Sequence, residues 1–178
     1  MPDFKLPEDN DSDPREYWSR CLEYPEHEHL KNGKPTVGFL LRAHPKLEAG
    51  RQVLGSVHMP QVTGKLRDVF TWMVEFTFGG IPDYLVILDA GYWESVDDRL
   101  REILMFHEMS HCVQKTDRYG EPQYSRITGE PVWGLVGHDV EEFTAVVARY
   151  GAWNDDIESF VAAANRFISP TVSQKSHD

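Results

Sequence analysis

The chain has little cysteine, no long apolar run and a shortage of positive charge, and each absence excludes something. Only Cys21 and Cys112 occur in 178 residues, too few for a disulfide framework and in keeping with a reducing compartment. No apolar stretch reaches the roughly 18 residues that a membrane-spanning helix needs. The start, Met1-Pro2-Asp3-Phe4-Lys5, leads into acids rather than an apolar segment, so no signal peptide is expected and the cytoplasm is the expected location. Eighteen Lys and Arg stand against 29 Asp and Glu, a net charge of −11. That argues against general nucleic-acid binding, which needs a cationic footprint.

A 40% hydrophobic content is that of a folded protein, and the length suits one domain with a sizeable core. The expected division is a disordered acidic N-terminus at 1–13, a domain over 14–170 and a flexible tail at 171–178. Charge is unevenly spread. Between Lys31 and Arg67 seven Lys and Arg face one acid, Glu48, so this basic segment, 31–67, is the place to expect an anionic partner.

Asp13-Pro14 reads as a helix N-cap followed by proline at the first helical position. Trp18, Cys21 and Leu22 continue the helix, which ends near Tyr24-Pro25. His27-Glu28-His29 falls in an expected loop, where two histidines two apart offer a weak metal site. Thr36–Arg42 and Gln52–His58 read as strands joined by a turn-rich link, hence as an antiparallel pair. Lys65–Phe78 has helical spacing to about Glu75, then turns extended. Asp83–Asp89 (DYLVILD) is the strongest strand signal, a continuous apolar run expected to be buried on both faces. Gln123–Ile127 and Val132–Leu135 suggest a hairpin. Val140, Phe143, Val147 and Tyr150 are spaced for a second core helix. Ile157, Phe160, Val161, Ala164, Phe167 and Ile168 form one stripe of a last helix. The expected fold is α+β: a single domain with a small, mostly antiparallel sheet packed on a central helix and a second core helix.

The central helix carries the chemistry. It is expected over Val96–Val113, announced by a capping box at Ser95-Val96-Asp97-Asp98. Inside it lies His107-Glu108-Met109-Ser110-His111, an H-E-x-x-H pentapeptide. Residues four apart on a helix sit one above the other, so His107 and His111 can offer two imidazole nitrogens to one metal ion. Glu108 beside them can take a proton from an activated water. Leu100, Ile103, Leu104, His107 and His111 share one face; Met105, Met109, Cys112 and Val113 cover much of the other. Such a helix belongs at the centre of a domain. Catalytic zinc takes three protein ligands and keeps one position open. His138, at the expected start of the next helix, is the favoured third ligand. Glu141 or Glu142 remains open in its place, and unused carboxylates, Asp139 included, can orient imidazoles.

These residues resemble the phage metallopeptidase family, a zincin-type group. The matching pieces are Gly50-Arg51 with Leu54-Gly55, the strand Tyr84–Leu88 with Trp93 behind it, and the H-E-x-x-H at 107–111. Pro131-Val132-Trp133-Gly134 and, above all, His138-Asp139-Val140-Glu141-Glu142-Phe143 complete them. They cover about residues 30–152, and SprT-like peptidases are more distantly similar. The resemblance implies His107, His111 and His138 as ligands of one zinc ion per chain, Glu108 as the catalytic base, and a phage or prophage protein in a bacterial host cell. A protein or peptide substrate follows. Its oxyanion would be met by Tyr119, Tyr124, Arg126 or Tyr150, and its extended chain by the Tyr84–Asp89 strand, as in zincins generally. The alternative is a regulatory or anti-defence protein that binds a host partner, its zinc structural or vestigial.

Overall fold

The computed structural model of the chain describes residues 3–61, 63–140 and 143–168. They divide into two compact units, Met1–Val136 and Gly137–Asp178. In chain order the first unit holds β1 (Phe4–Lys5), α1 (Pro14–Cys21), a 3-10 turn (Pro25–His27), α2 (Glu28–Gly33), β2 (Val37–Arg42), β3 (Lys46–Glu48), β4 (Arg51–Val53) and β5 (Gly55–His58). It continues through α3 (Arg67–Phe78), β6 (Tyr84–Asp89), α4 (Ala90–Ser95), α5 (Asp98–Ser110), β7 (Cys112–Gln114) and β8 (Trp133–Leu135). The second unit holds α6 (Thr144–Tyr150) and α7 (Asp155–Ile168). The class is α+β.

The principal sheet runs β1-β2-β6-β5, antiparallel except where β2 lies parallel to β6. The two strands expected to pair are therefore not neighbours. Tyr84–Asp89 lies between them, because the apolar run needs partners on both edges and takes Val37–Arg42 on one and Gly55–His58 on the other. The link expected as a turn folds into its own hairpin, β3 on β4, with Ala49 and Gly50 both at positive φ, as a tight right-twisted hairpin requires. On β6, Tyr84, Val86 and Leu88 are fully buried, while Leu85 and Ile87 are only half-buried. The strand is thus sealed on one face rather than two.

That sealed face meets the core. Tyr17, Trp18 and Cys21 of α1, Leu30 of α2, Phe39 and Leu41 of β2, and Trp93 of α4 join Leu104, Met105 and Met109 of α5. Asp13 caps α1 as expected, its carboxylate 3.0 Å from the Arg15 N–H. The helix is short because Pro25 follows within a turn. The acidic N-terminus has a foothold in the sheet: Phe4 and Lys5 pair with Arg42 and Leu41. The expected tail at 171–178 lies outside the described residues.

α3 runs on to Phe78, past the expected stop at Glu75, and closes on Gly79 at φ 76°. Phe78 packs over Gly38, where an added Cβ would lie 3.0 Å from its ring; this contact keeps the last turn helical. Within the basic segment, Lys31 pairs with Glu23 and Lys46 with Glu48, each at 2.5 Å. Arg42 is buried and donates to the Val53 carbonyl at 2.7 Å. Three of its seven cations are thus used inside the fold. In the second unit, α6 is shorter than the second core helix expected there and buries none of its residues. Among the described residues no helix is long and apolar enough to cross a membrane.

Candidate metal centre

α5 is pinned from its first turn. Its N-cap is Asp97, not Ser95: the Asp97 carboxylate accepts the Leu100 N–H at 2.9 Å, while Ser95 ends α4. Asp98 accepts from the Tyr17 hydroxyl at 2.8 Å and the Arg20 guanidinium at 2.9 Å, so α1 holds the same turn. Arg101 donates to the Trp93 carbonyl at 2.8 Å.

The helix turns a different face inward from the one expected. Leu104, Met105, Glu108 and Met109 are buried. Leu100 and Ile103 are exposed, as is His107. The Leu100–Ile103–His107 stripe thus faces outward, because the sheet takes up the methionine side. The helix also stops at Ser110, not Val113. His111 is its C-cap, and Cys112–Gln114 leaves as β7 to pair with β8.

That early stop orients the second histidine. Where the chain turns into β7, the Val136 N–H donates to the His111 carbonyl at 3.0 Å, and the His111 Nδ1 lies 2.8 Å from the Val136 carbonyl. A carbonyl can only accept, so Nδ1 carries the proton and Nε2 presents its lone pair. This is the arrangement a metal-binding imidazole uses. The His107 and His111 rings sit 5.1 Å apart, nearly perpendicular. Each of His107, His111 and His138 offers one ring nitrogen within 4.8 Å of the others, so the three histidines could hold a metal ion. Three imidazole nitrogens are a donor set that suits a first-row divalent ion.

Glu108, between the two histidines in sequence, is 3% exposed. Burial pushes its carboxyl up to about 7. Its carboxylate lies against Gly55 of β5, so closely that a Cβ there would fall 2.3 Å from Oε1. A pH dependence follows for the metal-free protein. Below pH 4.5 both folded and unfolded chains hold the proton. Between about 4.5 and 7 only the folded chain does, so stability falls as pH rises; above 7 the loss is complete, about 3 kcal/mol. Metal-free Glu108→Gln is therefore expected to exceed wild type in urea midpoint at pH 8 and to match it near pH 4.5. Equal stabilities at pH 8 would contradict this.

Asp139 is exposed, and Glu141 and Glu142 lie outside the described residues. Tyr124 is exposed, bridges to Pro131 and lines clefts with Arg118 and Arg126 on one side and His29 and Gln114 on the other. Tyr119 and Tyr150 are exposed, each beside an arginine, Arg118 and Arg149. Arg126 lines the same cleft as Tyr124. The expected substrate strand, Tyr84–Asp89, has both edges paired, so it has none left to offer.

His27 and His29 act as struts. His27 is buried with Nδ1 3.0 Å from the Cys21 carbonyl and its ring 4.5 Å from Phe106. His29 Nε2 lies 2.8 Å from the Cys112 carbonyl. His27 thus braces α5 through Phe106, and His29 braces the start of β7 just past the motif. Cys112 is a buried thiol pushed up to about 12 by its burial, which keeps it an inert thiol. Two contributors had little or no sequence signal. The Val136 carbonyl has none, being backbone. Gly55 has one: a glycine inside a strand marks close approach by another group.

An H-E-x-x-H helix in an α+β fold, with three histidines that could hold a metal ion, sets the class of the site. The chain belongs to the family described as "Putative phage metallopeptidase", whose model matches residues 10–165. Neither a curated protein nor a solved structure gives a significant match.

Proposed function

We propose that the chain is a zinc-dependent peptidase of zincin type, with His107, His111 and His138 as ligands and Glu108 as general base. The observation that carries this reading is the gathering of three imidazole nitrogens within 4.8 Å beside a buried glutamate, with His111 turned by the Val136 carbonyl. Zinc held there would supply Lewis acidity, lowering the pKa of a water and polarising the scissile carbonyl. The chain's own residues do the rest. Glu108 accepts the proton of the attacking water and passes it to the leaving amine. Its burial keeps bulk water from competing for that proton. Val136 holds the His111 ring in one tautomer.

An extended peptide would lie along β5, one of the two outer strands of the sheet. The Asp89 N–H donates to the Leu54 carbonyl at 2.8 Å, and Gly55 faces Leu88 in the register. In an antiparallel ladder the bonding residues alternate. Gly55 and Val57 therefore turn their N–H and C=O outward, where a substrate strand can take them up.

Metal analysis tests the reading. Protein purified with zinc supplied is expected to carry about one ion per chain, and His138→Ala to lose most of it. Zinc-free protein after such a preparation would refute the proposal. A partner-binding role is favoured by one observation: α3 exposes Val69, Phe70, Trp72, Met73 and Phe76 together. Full biological activity of Glu108→Gln would decide for that role.

A further inference from the structure

The structure assigns a second task to Gly55: we propose that it is the positioning residue for the Glu108 carboxylate. The proposal rests on the reading of Glu108 as the base. A Cβ built on Gly55 would meet Oε1 at 2.3 Å, Cδ at 2.8 Å and Cγ at 3.0 Å. The three nearest atoms all belong to Glu108. No backbone and no second side chain crowds the position as closely, so the space left by the missing methyl group is filled by this one carboxylate. Glu108 comes from α5 and Gly55 from β5, 53 residues earlier in the chain, so the contact is purely tertiary. Glu108 is buried, with Met105 and Met109 of the same helix fully buried around it. A methyl group at 55 therefore displaces the carboxylate while the β5 backbone stays in register with β6.

The consequence is separable from folding. Gly55 also turns its own N–H and C=O to the open edge, and alanine keeps both groups. Substitution moves the base and leaves the edge intact, so turnover falls while substrate affinity holds. A displacement of about 1 Å at a reacting group costs on the order of 100-fold in rate.

The test uses the zinc-loaded full chain, with fluorescein-labelled casein as the probe. Gly55→Ala is expected to keep about one zinc per chain, to lower kcat about 100-fold and to leave KM within about twofold. In metal-free protein, Gly55→Ala is expected to lower the melting midpoint in wild type and to leave it unchanged in Glu108→Ala, whose side chain is too short to meet the new methyl. An unchanged kcat overturns the proposal, as does loss of zinc, or an equal drop in midpoint in both backgrounds. Wild-type protein that binds zinc and leaves casein uncut counts against Glu108 as the base, while the paired melting midpoints still decide the contact by themselves.

Discussion

Replacing Glu108 by glutamine is expected to lower peptide cleavage by about 10²- to 10⁴-fold, the contribution of a positioned general base, with zinc content unchanged. Glutamine keeps the shape and volume of the side chain. The fit against Gly55 is preserved, and so is the packing beside Met105 and Met109. It removes only the ability to accept a proton and carry it on. The two flanking histidines keep their geometry, because His111 is set by the Val136 carbonyl rather than by Glu108. Profiling the peptides released from a host proteome by wild type and by Glu108→Gln reads the effect directly. Equal profiles would remove the base from the mechanism.

Trp93→Ala is the largest expected loss of stability, about 3–5 kcal/mol in urea denaturation, the range for deleting a buried aromatic side chain. Trp93 is fully buried. Its ring meets Tyr17 edge-on at 5.2 Å, and its indole N–H donates to the Ser12 carbonyl at 2.6 Å. The same tryptophan's backbone carbonyl receives Arg101 of the motif helix. Truncation opens a cavity between α1, α4 and α5, where the metal-site helix is anchored. Trp72→Ala provides the contrast. Trp72 is 62% exposed on α3, and its removal is expected to change stability by no more than about 0.5 kcal/mol. Similar losses at both positions would mean that the core is not the one described.

The elements legible in the sequence are those fixed within a few residues. Asp13-Pro14 starts a helix because cap and proline act on the very next turn. His107 and His111 share a face because helical geometry spans only four residues. The run Tyr84–Asp89 is a strand because nothing but a sheet interior accepts so many branched apolar side chains in so short a length. Errors gather where two local signals compete. Ser95 reads as the cap of the motif helix, and only the end of α4 at Ser95 shows that Asp97 serves instead. Phe76-Thr77-Phe78 looks extended until Phe78 finds Gly38.

By itself, then, the sequence determined an α+β chain with an H-E-x-x-H helix and no apolar run long enough for a membrane-spanning helix, since pattern and spacing are properties of neighbours. Tertiary structure alone decided three other things. It decided that Gly55–His58 keeps an open edge while Tyr84–Asp89 has none, because sheet order depends on partners far apart in the chain. It decided which side of α5 is buried, because a helix apolar on both sides takes its orientation from the surface it packs on. And it decided what stands around the motif: the Val136 carbonyl at His111, a backbone group with no residue type to read, and Glu108 at Gly55, where the glycine marks a close approach without naming what approaches.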